Sequence, residues 1–379
     1  MRAAHEPFAD TERLLRAGVE SHAFPAACIE VGRRDGVLWS AAFGAFTFDP
    51  TSKMATPGTI FDLASLTKVL STTTLAMRAV DAGRLPLDAP IGRWLRDWRG
   101  PDRAAVTVRH LLTHSSGLSA YLPFYRRCTG RPEFERAICT LPLEYPPGSR
   151  SIYSDLGFIL LGFILEDVAA SSDTFDGDPL AFDPSRTLAA QFRRIASYVT
   201  AEPLTFNPPR AWRARTAPTE VDPWRGRLLV GEVHDENCWA LGGAAGHAGV
   251  FGTAGAVGAF ARALLATLHH PVLAEPSTLR TFIARSSVPG SSRALGWDTM
   301  LPTSSCGRRL SPAAIGHTGF TGTSLWIDPE RDFYIVLLTN RVHPTRQNEA
   351  LKAIRPRVHD AVVAETTRMG ELPKLPELP

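Results

Sequence analysis

Lysine is scarce in this chain of 379 residues: of 41 basic side chains only Lys53, Lys68, Lys352 and Lys374 are lysines, so a motif that needs lysine rarely arises by chance. Charge of one sign is also lacking. The formal net charge is +3, and no clustered basic stretch offers a phosphate-reading surface, which argues against nucleic acid or an anionic membrane as partner. Long hydrophobic runs are missing as well. The longest, Leu156 to Leu165, lies between Asp155 and Glu166 and is too short to cross a bilayer. The five cysteines are scattered, odd in number and never spaced C-x-x-C, which excludes a disulfide framework and a zinc ribbon. Met1 to Val19 carries Glu6, Asp10, Glu12 and Arg13 without an apolar core, so no secretory signal is visible and a soluble protein of a reducing cytoplasm is expected. What is present is an ordinary folded composition, 44% apolar and 21% charged, long enough for two domains or one with a large insertion.

Two apolar runs, Ala26 to Val31 and Val37 to Phe43, flank Asp35-Gly36 and predict a β-hairpin. Ser65 to Ala82 holds good helix formers without interior glycine or proline, and Gly83 supplies a stop, so Ser65 falls at a helix start. Val108 to Thr113 and the apolar stretch Asp155 to Ala170 read as further helices, the second one buried. Ser171 to Glu236 is rich in Pro, Asp and Arg and predicts a long, loop-rich cover over the substrate. The Gly/Ala crowding of Gly242 to Gly258 calls for a close backbone approach, followed by a helix to His269. Gly322 to Ile327 and Phe333 to Leu338 predict a second hairpin, and a helix from Arg346 to Thr367, interrupted at Pro356, closes the chain. Strands at both ends suggest a discontinuous α+β layout. Residues 1–62 and 240–379 would form a sheet domain and 63–239 an inserted helical domain, with the cover at 171–236.

Ser65-Leu66-Thr67-Lys68 is the sharpest local feature. Positions i and i+3 share a helix face, so the Lys68 amine can reach the Ser65 hydroxyl, and a desolvated lysine of lowered pKa can take its proton. About 0.25 such matches are expected by chance, so the motif needs company. Ser151-Ile152-Tyr153-Ser154-Asp155 supplies a phenol, a hydroxyl and a carboxylate at another helix start. Tyr153 could share the base role, and Asp155 could hold the Lys68 ammonium or merely cap its helix. Gly316-His317-Thr318-Gly319-Phe320-Thr321-Gly322 is a glycine-spaced strand rim whose N–H groups could polarise a carbonyl, and His317 and Thr318 could touch a substrate carboxylate or the Tyr153 oxygen.

Ser65-x-x-Lys68, Tyr153-Ser154-Asp155 and His317-Thr318-Gly319, in that order, resemble the three motifs of the penicillin-recognising serine hydrolases, in the class C β-lactamase-like and family VIII carboxylesterase branch. Phe61 to Ser65, Val108 to Leu118, Pro146-Pro147-Gly148 and Gly246 to Phe251 resemble supporting stretches of that branch. The resemblance implies a β-lactamase/transpeptidase-like fold, an antiparallel sheet flanked by helices with the site in a cleft against an inserted helical domain. It implies Ser65 as acylated nucleophile, Lys68 and Tyr153 as the base and acid pair, and the N–H groups of Ser65 and Phe320 as oxyanion hole. Asp155, His317, Thr318 and Gly319 would contact substrate, and no cofactor or metal is called for. Asp155 stands where the middle motif usually ends in Asn, and His317 where the last usually begins with Lys. That implies weak or no β-lactamase activity and favours an esterase, or an amidase on peptidoglycan-derived peptides. The expected partner is a small ester, amide or muropeptide. A non-turnover sensor of such fragments, or an acyl transferase, are the alternatives on the same fold.

Gly231 to Asn237 resembles a stretch of family members that trim muropeptides. Its acids could receive a cationic substrate group, or His234, Asp235 and His247 could hold a metal, though three dispersed ligands more often form a hydrogen-bonded loop. His110 and His114, at i and i+4, read as a packed helix end rather than a metal pair.

Overall fold

The computed structural model describes residues 7–171 and 187–372, so Asp176-Gly177-Asp178-Pro179 of the expected cover lies outside the described residues. Ala26–Arg33 pairs antiparallel with Gly36–Gly44 through a two-residue turn at Arg34 and Asp35, so Gly36 begins the second strand rather than filling the turn. Ala26–Arg33 also pairs with Phe333–Thr339, which joins the two ends of the chain in one antiparallel sheet of six strands. Beyond it come Ser324–Asp328, Ile315–Thr318 and Asp298–Thr299.

The period-2 pattern is buried on both sides. Ala27, Ile29, Val31, Ile335 and Leu337 face one core, shared with Leu15 of the helix Ala9–Glu20 and Val358 and Val362 of the helix Leu351–Arg368. Cys28, Val336 and Leu338 face the other, shared with Val257 and Phe260 of the helix Ala254–Thr267. Helices on both faces explain why these strands are apolar at most positions on both sides, since neither face meets water, and the buried Glu30 is paired with Arg262 and Tyr334. The closing helix begins at Leu351, later than its expected start at Arg346, and runs unbroken through Pro356.

A helical layer built around Asp155–Ala170 covers the second core, and this helix is buried nearly all round as its uniform apolarity requires. Ser154, rather than Asp155, caps it: Ser154 Oγ accepts from Gly157 N at 3.3 Å. The expected loop cover is more ordered than composition suggests. Its described part contains the helix Leu188–Val199 and the strand Leu204–Phe206, which joins Val250–Gly252 and Phe61–Asp62 in a small second sheet. Polar composition hid a strand whose partner lies some forty residues onward. All five cysteines are free and buried, and among the described residues no helix is long and apolar enough to cross a membrane.

Candidate active site

The small sheet delivers Ser65. Leu63 N donates to Val250 O at 2.9 Å, and Val250 N donates to Thr67 Oγ1 at 3.0 Å, which clamps both sides of the serine against the strand Val250–Gly252. Ala64 is left at φ 46°, a left-handed conformation that costs a residue with a Cβ of order 1 kcal/mol or more and persists only where its surroundings enforce it. Helical turns follow from Leu66, and the segment Lys68–Thr73 is π-helical before the α-helix Thr74–Asp81 resumes. Such widened turns concentrate at functional sites.

Lys68 is fully buried, and its ammonium meets three oxygens: Asp155 Oδ1 at 2.7 Å, Ser65 Oγ at 3.0 Å and His247 O at 3.0 Å. The last contact depends on the close approach predicted for the Gly/Ala-rich stretch. A Cβ on Gly246 would run into Phe158 O, so only glycine lets the 246–247 backbone reach the lysine. Because Ser154 takes the capping role, Asp155 is released to face Lys68. Burial by itself pushes Lys68 down, as the sequence suggested, but the Asp155 charge and Tyr153 outweigh it and hold the lysine above its ordinary value. The expectation of a lowered lysine is therefore reversed, and the cause is the carboxylate that the sequence left open as a cap.

Tyr153 lies beside them, its ring 4.9 Å from Lys68 Nζ and 5.7 Å, centroid to centroid, from the His317 ring. Burial pushes its phenol up, while Lys68 and hydrogen bonding to Ser65 pull the other way. His317 is buried, and its Nδ1 lies 2.8 Å from Thr318 O, which assigns the proton to Nδ1. Burial, then Arg293 and Lys68, press it well below the ordinary histidine range, so at neutral pH it is an uncharged ring and a grip on a carboxylate falls to other groups. Ser65, Tyr153, His317, Thr318, Gly319 and Phe320 line one cavity of about 270 Å³. Asp155 joins Ser65, Tyr153 and Phe320 on a second, of about 370 Å³. Seven of the eight expected site residues line these two cavities, and Lys68 lies buried behind Ser65. Neither Ser65 N nor Phe320 N donates to an acceptor among the described residues, which leaves two N–H groups for a developing oxyanion.

The histidines outside this group are engaged elsewhere. His234 Nε2 lies 2.9 Å from Glu220, and His247 Nε2 lies 2.8 Å from Asp235, as separate pairs. Among the described residues no group of three or more such side chains is arranged to hold a metal ion. His110 completes a capping box with Thr107, and His114 packs between Tyr153 and Phe158 while Nδ1 accepts from Ser154 N. Sequence reasoning missed Arg293, Arg341, Arg355 and Arg346 along the cleft. In so arginine-rich a chain no spacing sets them apart.

The chain is similar along most of its length to known proteins. The chain is 28% identical over 352 residues to a putative D-alanyl-D-alanine carboxypeptidase of Escherichia coli strain K12, covering 84% of this chain and 79% of that one. It is 28% identical over 365 residues to an N-acetylmuramyl-L-alanine amidase of Bacillus subtilis strain 168, covering 88% and 79%. Among solved structures it superposes on the LovD6 mutant of simvastatin synthase from Aspergillus terreus with a TM-score of 0.71 at 20% identity, covering 96% of each chain. It also superposes on EstCE1, a hydrolase with promiscuous acyltransferase activity, with a TM-score of 0.71 at 19% identity, covering 93% and 97%. The Beta-lactamase family pattern matches residues 11–358, and the chain belongs to that family and has the fold of its hydrolases.

Proposed function

We propose that the protein is a serine hydrolase that cleaves ester or amide bonds through an acyl-enzyme on Ser65. The observation that carries this reading is the fully buried Lys68 ammonium 3.0 Å from Ser65 Oγ, beside a cavity lined by Ser65 and Phe320, whose N–H groups have no acceptor among the described residues. Ser65 Oγ attacks the carbonyl carbon, and its proton passes to the Lys68–Tyr153 pair. With Asp155 holding Lys68 charged, the competent base is the pair after loss of one proton, which titrates as a unit rather than as two residues. The pair returns the proton to the leaving alcohol or amine as the carbonyl re-forms. A water molecule, deprotonated by the same pair, then attacks the acyl ester, releasing a carboxylic acid and restoring Ser65. Throughout, the two N–H groups would steady the charge on the carbonyl oxygen.

Thr318 and Gly319 would hold the substrate along the rim of the strand Ile315–Thr318, with His317 beneath them as a neutral acceptor. The same reading keeps residues 1–62 and 240–379 as one discontinuous sheet domain and 63–239 as the inserted domain. Relatives named as a carboxypeptidase and an amidase support an amide or ester drawn from peptidoglycan as the substrate class. The test is steady-state hydrolysis of a short-chain nitrophenyl ester by wild type and Ser65→Ala, with mass spectrometry of the trapped enzyme. Turnover that disappears with Ser65, and an acyl mass on the peptide containing it, is the expected result. Undiminished turnover in Ser65→Ala overturns the assignment.

A further inference from the structure

The cleft divides at Ser65 into two cavities of opposite charge that share Ser65, Tyr153 and Phe320. On the first, Arg293, Arg341, Lys352 and Arg355 stand against Asp298, with Glu349 beside them paired to Lys352. On the second, Asp155, Asp235 and Glu236 stand against Arg346, while behind them the buried Lys68 and Glu220 offset each other. Charge of one sign in a low-dielectric cleft concentrates ligands of the other.

Among the described residues, each of the three carboxylates of the second cavity keeps one oxygen without a donor. Asp235 Oδ1 accepts from His247 Nε2 at 2.8 Å and Cys238 N at 2.7 Å, yet Oδ2 has no hydrogen bond from any described residue. Glu236, its side chain 9% exposed, accepts from Arg346 through Oε1 at 2.8 Å, and its Oε2 has no donor among the described residues. Asp155 Oδ1 accepts from Lys68, and its Oδ2 likewise has no donor among the described residues. Burial opposes the Asp235 charge, but His247 and the Cys238 N–H outweigh it and hold the carboxyl well below the usual range. Three carboxylates on one wall beside a nucleophile, each with one oxygen open to the cavity, suit a ligand with several N–H donors and positive charge. A neutral hydroxyl offers one donor and leaves the charge uncompensated. Tyr121, 42% exposed and close enough to Asp235 and Glu236 that they help burial to raise its phenol, adds an aromatic wall that suits an ammonium.

We propose that the Asp235–Glu236 side of the cleft is a subsite for a primary ammonium carried by the substrate, across the scissile carbonyl from an anionic group that meets the arginine side. This deepens the hydrolase reading and rests on it. Two ester series test it: nitrophenyl esters of hexanoic, 6-aminohexanoic and adipic acids vary charge on the acyl arm, and hexanoate esters of butanol, 4-aminobutanol and 4-hydroxybutyrate vary it on the leaving arm. In one series the ammonium ester is expected to exceed its neutral analogue in kcat/KM by about tenfold at low salt, with the advantage fading as salt rises. Asp235→Asn should collapse that ratio, and Asp235→Glu should restore part of it. Calorimetric binding of hexylammonium against hexanol to wild type gives a readout free of turnover and of the variants' folding, with the amine expected to bind about tenfold tighter. Ammonium and neutral ligands that behave alike in both series and in binding overturn the subsite. Loss of the Ser65 dependence of neutral-ester cleavage would instead strike the hydrolase reading and leave the binding result standing.

Discussion

Lys68 Nζ lies 2.7 Å from Asp155 Oδ1, and this contact reverses what burial would do to the lysine. Without it, a lysine enclosed by Phe158 and Tyr153 would tend to lose its proton. With it, the proton stays on Lys68, and the neighbouring phenol feels a fixed positive charge.

The pH dependence should report this contact. Asp155 raises Lys68, so removing its charge lets the ammonium give up its proton at lower pH, and the pair becomes competent earlier. Asp155→Asn, which keeps an acceptor oxygen facing Lys68, is expected to move the ascending limb of kcat/KM toward acid. A limb that stays in place would show that Lys68 does not govern the titration. Tyr153→Phe should lower kcat by about 10²–10⁴-fold, the usual contribution of a positioned proton carrier.

His317 should not titrate in the physiological range. Burial first, then Arg293 and Lys68, disfavour its charged form. Its imidazole NMR signals are expected to hold constant between pH 8 and pH 6, and a protonation step in that interval would contradict the environment described here.

Gly319 holds the strand rim against the residues before Ser65, with a Cβ there falling 2.5 Å from Leu63 O. Gly319→Ala must push the Thr318–Phe320 backbone away from the serine. A shift of that kind, of order 1 Å, is expected to reduce kcat/KM by about 10²-fold. Circular dichroism should match wild type, because the change displaces one strand end rather than the core.

Asn340 ties three distant segments together, accepting from Ala26 N at 3.0 Å and donating to Phe46 O and Pro218 O at 2.9 Å each. It is 1% exposed, so Asn340→Ala strands the buried Ala26 N–H and the Phe46 and Pro218 carbonyls. Urea unfolding should show a loss of about 2–4 kcal/mol.

The candidate cluster was legible because its residues fall at short spacings. Ser65 and Lys68 lie one turn apart, Tyr153 and Asp155 two residues apart, and each group sits at a helix start that punctuation and propensity mark. Less legible was the division of labour between neighbours. Ser154 and Asp155 are both good caps, and which one turns inward depends on where Lys68 ends up, eighty-seven residues away along the chain. The strand Leu204–Phe206 was missed for a similar reason, since its pairing with Val250–Gly252 is not recorded in its own three residues.

Local pattern determined the hairpins, the buried helix Asp155–Ala170 and the identities of the serine, lysine and tyrosine, because helix and strand periodicity and capping act over a few residues. Tertiary structure alone decided the electrostatics. It set Asp155 against Lys68 and left Asp235 and Glu236 with oxygens facing the cavity. It also drew Arg293, Arg341 and Arg355 from three separate segments to one wall. A charge acts on whatever lies within a few ångströms through space, whatever its distance along the chain, so those effects exist only once the chain is folded.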